Sequence, residues 1–283
     1  MTDTPKKPSS LKQRSLTALV LVPILIAVLA LGGWFAAIVA LISLCVALHE
    51  EMNTLQSGGY RPVRWPAFAV LVAGAALVYL DAVQYILPLT AMLIFGVQMS
   101  VMCRKDSQMT DIMAGVLPVM NVALPGICLL SILSAEPRAL QLMMLLFVFG
   151  TAIGCDTLAY FVGSMVGGPK LCPHISPKKT VSGAIGGLAG SVLFAVVIDL
   201  CFRTIAPEAI ANIPLWWTVV LGLLGGVAAQ MGDLFASMLK RLCKVKDFGH
   251  IFPGHGGMMD RLDSVLFTSI VVFAYRALLL GLL

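Results

Sequence analysis

Charge is what this chain has least of. Only 12% of its 283 residues are Asp, Glu, Lys or Arg, against about 25% in an ordinary soluble domain, while 59% are hydrophobic. A water-facing surface of normal polarity cannot be made from that composition, so a soluble fold is excluded. Cysteine pairs are missing too. Cys45, Cys103, Cys128, Cys155, Cys172, Cys201 and Cys243 contain no CxxC spacing, which points to small apolar packing residues rather than disulfides or metal ligands. HExxH, GxSxG and a full P-loop are all absent; Lys170 follows two glycines, but the rest of a nucleotide loop is not there.

What is present is a series of long apolar runs. A bilayer core about 30 Å thick takes roughly 20 apolar residues per helix. Nine candidate spans follow from this: 15–31, 34–48, 66–81, 84–102, 111–133, 139–166, 180–200, 214–238 and 259–281. The expected fold is all-α and polytopic. Gly32-Gly33 separates the first two runs and reads as the turn of a helical hairpin. The first run starts basic, as a signal peptide does, but its core is long and no small-x-small cleavage site follows, so it is read as retained. The organisation is a basic tail over 1–14, N-terminal helices over 15–138, and a second helical region over 139–283 with polar loops at 167–180 and 239–258.

Lysine and arginine are nearly missing from alternate loops. With the N-terminus inside, sixteen of nineteen fall on inside segments, Arg138 and Arg203 fall outside, and Arg276 lies within the last run. The positive-inside rule then puts the N-terminus in the cytoplasm and the C-terminus outside. The two polar loops face the cytoplasm and flank the seventh and eighth spans. Those spans carry small residues four apart (Gly183/Gly187, Gly186/Gly190, Gly222/Gly226). That spacing favours close helix packing over direct ligand contact.

Acidic residues inside apolar runs are costly and need a reason. Asp156 lies within the sixth span, Asp233 near the inner end of the eighth, and Asp260 and Asp263 at the start of the ninth. The last two are three apart and share a helix face; capping and an ion pair with Arg261 would account for them alone. Asp233 at similar depth adds a third carboxylate and makes an oxygen site for Mg²⁺ plausible, completed by water and phosphate oxygens. Between them stand Lys240, Arg241, Lys244 and Lys246, then Pro253-Gly254-His255-Gly256-Gly257. Glycines let backbone N–H groups approach an anion, and a turn leading into a helix N-terminus suits phosphate. Carboxylates, cations and a glycine-rich turn together describe phosphoryl or nucleotidyl transfer. His255 either meets a phosphate, moves a proton or orients the turn. His49, His174 and His250 read as interfacial.

The stretch from Ser237 to Asp263, SMLKRLCKVKDFGHIFPGHGGMMDRLD, resembles the signature of phosphatidate cytidylyltransferases, the CDP-diacylglycerol synthases. Its fixed positions are Ser237, Lys240, Arg241, Lys246, Asp247, Pro253, His255, Gly256, Gly257, Asp260, Arg261 and Asp263. A second block, Asp156-Thr157-Leu158-Ala159-Tyr160 with Ser176-Pro177-Lys178-Lys179-Thr180, is similar to the family's upstream motif. Ser182 and Ser164 depart from it, standing where glutamate and arginine are usual. The resemblance is strong over 150–264 and general over 1–149. It implies a Mg²⁺-dependent, homodimeric enzyme of the bacterial inner membrane that joins CTP to phosphatidic acid at a cytoplasmic, lipid-open cavity. Metal binding then falls to Asp233 and Asp260, with Asp263 as a third ligand or as support to the other two. Phosphate contacts fall to Lys178, Lys179, Lys240, Arg241, Lys246 and Arg261. The Gly256-Gly257 backbone is expected at the triphosphate, and Asp156 at a second cation or a basic partner. No nucleic-acid partner is expected. The alternatives are a CTP-dependent transferase or kinase on another lipid such as a polyprenol, a membrane transporter, and an inactive lipid-binding paralogue.

Overall fold

Apolar runs become helices here because no water is available to satisfy a backbone left open. The computed structural model describes residues 23, 26–27, 30–210, 213–252 and 256–282. The tail 1–14, most of the run 15–31 and Pro253-Gly254-His255 lie outside the described residues, and with them the expectations for the first span and for His255.

The helices are α1 (Gly33–Ser57), α2 (Arg64–Tyr79), α3 (Ile86–Met102), α4 (Met109–Pro118), α5 (Leu124–Leu133), α6 (Arg138–Val166), α7 (Val181–Ile205), α8 (Leu215–Leu242) and α9 (Met259–Leu282). A π turn over Val119–Ala123 joins α4 to α5 behind Pro118, whose missing N–H breaks the regular ladder. Among the described residues, six helical segments are long and apolar enough to cross a membrane: Gly33–Ser57, Val83–Met102, Met109–Leu133, Arg138–Val166, Val181–Ile205 and Leu215–Leu242. The α2 helix is apolar but shorter, and α9 covers the last expected run. The chain is thus a polytopic, mainly helical membrane protein.

Three boundaries differ from the sequence reading in ways that matter for the site. First, α1 does not stop near 48 but runs to Ser57, which places Glu50 and Glu51 inside the helix, both buried. Second, the loop 167–180 is not irregular, and the fold is not purely α. Lys170–Cys172 (β1) and Ser176–Thr180 (β2) pair antiparallel, with Lys170 opposite Thr180 and Cys172 opposite Ser176. Gly167 and Gly168, at φ 66° and 104°, end α6, and Pro169, Pro173 and Pro177 keep the segment from re-forming helix. Third, α8 continues through Lys240 and Arg241, where two cations suit the negative end of the helix dipole.

Small residues do the packing the sequence suggested. A Cβ on Gly183 would stand 2.8 Å from the Ala159 carbonyl oxygen, and one on Gly187 3.0 Å from that of Cys155. The α7 helix therefore lies backbone to backbone on α6. Gly222 meets Val192 of α7 in the same way, at 2.7 Å, and Gly232 of α8 rests on the Asp263 carbonyl of α9. The buried core includes Leu44, Leu48, Met52, Leu71, Met143, Phe147 and Leu266. All seven cysteines are free thiols.

Each end of the bundle holds an Arg–Asp pair. Arg61 and Arg104 both meet Asp111 at one end of the bundle, where Gly58 also packs on Cys243. At the opposite end Asp199 is fully buried, takes a hydrogen bond from Thr218 Oγ1 at 2.7 Å and pairs with Arg203.

Candidate active site

The hairpin β1–β2 folds over the ends of α6, α7 and α8 and helps enclose a cavity of about 360 Å³. Thr180 places the hairpin: it ends β2 and caps α7, accepting the Gly183 N–H at 3.1 Å. Asp156, Lys178, Lys179, Gln230 and Asp233 line the cavity. Lys179 reaches down from β2 and pairs with Asp233 of α8, Nζ to Oδ2, at 2.5 Å. Asp156 is exposed to this space rather than packed away. Asp263 of α9 lies within electrostatic reach of Asp233, Asp156 and Lys240. Its Oδ1 accepts the Ser264 N–H at 2.7 Å, which fixes the carboxylate's direction.

Asp260 belongs to a second, adjoining knot. Its Oδ1 meets Lys240 Nζ at 2.5 Å, and its Oδ2 accepts the N–H groups of Phe248 and Gly257, each at 2.9 Å. This one carboxylate holds the end of α8, the 243–258 loop and the first turn of α9 together. Gly256, at φ 80°, brings the backbone against it: a Cβ there would stand 2.7 Å from Asp260 Oδ2. The turn therefore depends on glycine for conformation and for space.

The structure thus brings Asp156, Asp233, Asp263 and Lys179 to one place, with Lys240 and Asp260 next to them. Lys178 is exposed on the hairpin, and Arg241, Lys246 and Arg261 are exposed around the loop. Gly257 has its N–H committed to Asp260, so the expected cradle of two glycine amides is partly spent on holding the turn. Ser164 donates to the Phe161 carbonyl oxygen at 2.9 Å. Ser182 donates to the Gly167 carbonyl and lies 3.1 Å from the Thr180 hydroxyl, tying the hairpin to α7. The serine at 182 is a brace in this fold.

Carboxylate oxygens suit a hard divalent cation. Asp233 and Asp263, on two helices, lie within electrostatic reach of each other, and a side-chain cation, Lys179, already lies on Asp233. Among the described residues no group of three or more His, Cys, Asp or Glu side chains, Asp233, Asp260 and Asp263 included, is placed to hold a metal ion.

Sequence reasoning missed four polar residues. Gln230 stands one turn before Asp233, and its Nε2 donates to the Ala184 carbonyl at 2.9 Å. Glu51 is fully buried and accepts from Asn121 of the π turn at 2.8 Å. Glu50 accepts the Met259 N–H at the start of α9. The available signal was a pair of adjacent glutamates at the end of an apolar run, which reads as an interfacial helix end until α1 is seen to continue.

The sequence model described as the cytidylyltransferase family matches residues 12–279. A protein of Brucella abortus biovar 1 (strain 9-941) called phosphatidate cytidylyltransferase is 38% identical over 134 residues, 47% of this chain and 47% of the relative. In that match the chain spans about half the length of the relative. A phosphatidate cytidylyltransferase of Staphylococcus epidermidis (strain RP62A) is 29% identical over 267 residues, 91% of this chain and 96% of the relative. One from Synechocystis sp. (strain PCC 6803) is 29% identical over 298 aligned positions, 96% and 98% of the two chains.

Proposed function

The chain belongs to the cytidylyltransferase family, and on that premise we propose that it transfers the cytidylyl group of CTP to phosphatidic acid, giving CDP-diacylglycerol and pyrophosphate. The observation that carries the reading is the Lys179–Asp233 pair at the cavity, with Asp156 and Asp263 in reach. A metal–polyphosphate site would need both signs of charge, and both stand at this cavity.

In this reaction an oxygen of the phosphatidate phosphate forms a bond to the α-phosphorus of CTP. The bond from that phosphorus to the oxygen bridging to the β-phosphate breaks, and pyrophosphate leaves with the electron pair. The nucleophile is already an anion, so the residues need not remove a proton from it. The barrier is repulsion between anions and their alignment. Lys178 and Lys179 on the hairpin and Arg241, Lys246 and Arg261 around the loop would neutralise phosphate oxygens. Lys240, held on Asp260, fixes the end of α8 where these charges meet. Preorganised charge of this kind stabilises the transition state without reorganising during the reaction. Asp233 and Asp263 would hold Mg²⁺, and Asp260 would join them only by releasing one of its present contacts. The ion, when bound, supplies charge for the phosphates and the leaving group. Asp156 would hold a second cation or turn Lys179 toward substrate.

The proposal includes a cytoplasmic active site in a bacterial inner membrane, supported by the crowding of lysine and arginine at this end of the bundle. It also includes a homodimer, which rests on family likeness alone. The test is purified protein in detergent micelles with CTP, phosphatidic acid and Mg²⁺. CDP-lipid and pyrophosphate should appear in equal amounts and vanish with EDTA. Product from a polyprenol phosphate in preference to phosphatidic acid would move the assignment to another lipid. CTP-independent ion flux in proteoliposomes without product would move it to a transporter.

A further inference from the structure

Glu50 reaches from the N-terminal half of the chain to the turn that begins α9. Its Oε2 accepts the Met259 N–H at 2.9 Å, across 209 positions of sequence. The side chain is 5% exposed. Its carboxylate lies in a notch between two glycines of the loop: a Cβ on either Gly249 or Gly257 would run into its oxygens. Its Oε1 is buried and has no hydrogen-bond partner among the described residues.

Packing alone does not account for an acid at this position. A buried carboxylate is costly unless something offsets it, and an apolar side chain would fill the same notch more cheaply. What the acid supplies is an acceptor at the positive end of α9. Gly257 gives its N–H to Asp260 and Met259 gives its N–H to Glu50. The two carboxylates take amides at and just before the start of α9, Asp260 from within the site and Glu50 from α1. The glycine notch is shaped to the acid, since neither Gly249 nor Gly257 leaves room for a side chain of its own.

We infer that Glu50 is a positioning residue for the transfer reaction: from α1 it fixes the turn Gly256–Asp260, and through that turn the placement of Lys240 and Asp263. This rests on the proposed transferase reading. It also gives the N-terminal helices a part in the chemistry, although the signature lies entirely in the C-terminal half.

The test uses the full chain in micelles with Glu50→Ala, Glu50→Gln, Gly249→Ala and the double variant Gly249→Ala/Glu50→Asp. In Glu50→Ala the KM for CTP should rise about tenfold, the scale of one lost buried hydrogen bond, with a lower kcat and an unchanged KM for phosphatidic acid. Glu50→Gln keeps an acceptor for Met259 and should recover most of the loss. Gly249→Ala should reproduce the Glu50→Ala defect from the other side, and the shorter Asp in the double variant should relieve it. A kcat that falls with both KM values unchanged, equally in Glu50→Ala and Glu50→Gln, would overturn the inference in favour of a purely structural acid. Should Glu50→Ala fail to fold, the Gly249→Ala pair makes the same decision. Amide exchange over 256–262 gives an arm independent of activity. It should speed up in Glu50→Ala and Gly249→Ala, and unchanged exchange would overturn the contact. Faster exchange in these variants, beside a parent protein that forms no CDP-lipid, would uphold the positioning contact and remove the transferase reading instead.

Discussion

Lys240 Nζ lies 2.5 Å from Asp260 Oδ1, with the two side chains only 12% and 6% exposed. This pair joins the last turn of α8 to the first turn of α9, and the same ammonium stands 5.1 Å from the centre of the Phe248 ring. Replacing Lys240 with Met keeps the stem and removes the charge, which leaves Asp260 buried without its cation. Breaking a buried pair from one side costs about 3–5 kcal/mol. Lys240→Met should therefore lower the unfolding temperature as well as turnover, and thermal unfolding of the purified variant beside the parent checks it.

Lys179 and Asp233 should behave differently. Their side chains are each 29% exposed, so the pair contributes little to stability once solvent screening is counted. Its role is electrostatic and local to the cavity. Lys179→Gln should leave the unfolding temperature nearly unchanged and raise the KM for CTP about tenfold, the scale of one charge-assisted hydrogen bond. The same variant removes a competing cation from Asp233, so half-saturation by Mg²⁺ should move to lower concentration. Steady-state rates across a Mg²⁺ titration separate the two effects.

Helix packing behind the cavity offers a control for stability. A Cβ on Gly187 would meet both the Cys155 carbonyl oxygen and its Sγ at 3.0 Å, and Val adds two more methyl groups there. Gly187→Val should destabilise by about 1–3 kcal/mol, the usual cost of overpacking, seen as loss of monodisperse protein on heating. Leu193→Ala, on an exposed face of the same helix, should not.

Charged residues set inside or beside apolar runs were legible in the sequence, and those runs marked the helices that carry them. Asp233, Asp263 and Lys179 do converge, as spans sharing one membrane face must allow. The sequence did not show that Asp260 spends both oxygens on Lys240 and two backbone amides, because the loop's path back to α9 is a tertiary matter. Nor did it show the β1–β2 hairpin. Five residues such as Ser176–Thr180 carry too little periodicity to be read as a strand, and only the partner strand makes them one. Glu50 was overlooked because a glutamate at the end of an apolar run has an ordinary interfacial explanation. Its contact with Met259 lies 209 positions away, beyond any local pattern. Ser182 departs from the family motif, and the sequence did not show that its hydroxyl braces the hairpin on the Gly167 carbonyl.

In the proposed reaction the carboxylates at the cavity drive cytidylyl transfer to phosphatidic acid. The most direct test is CDP-lipid formation by the purified parent and by Asp233→Asn at saturating Mg²⁺, both checked for equal folding. The substitution keeps the shape and removes the charge on which Lys179 rests. Turnover should fall about 10²–10³-fold or more, the loss typical of removing one preorganised electrostatic group. Near-normal CDP-lipid formation by well-folded Asp233→Asn would contradict the claim.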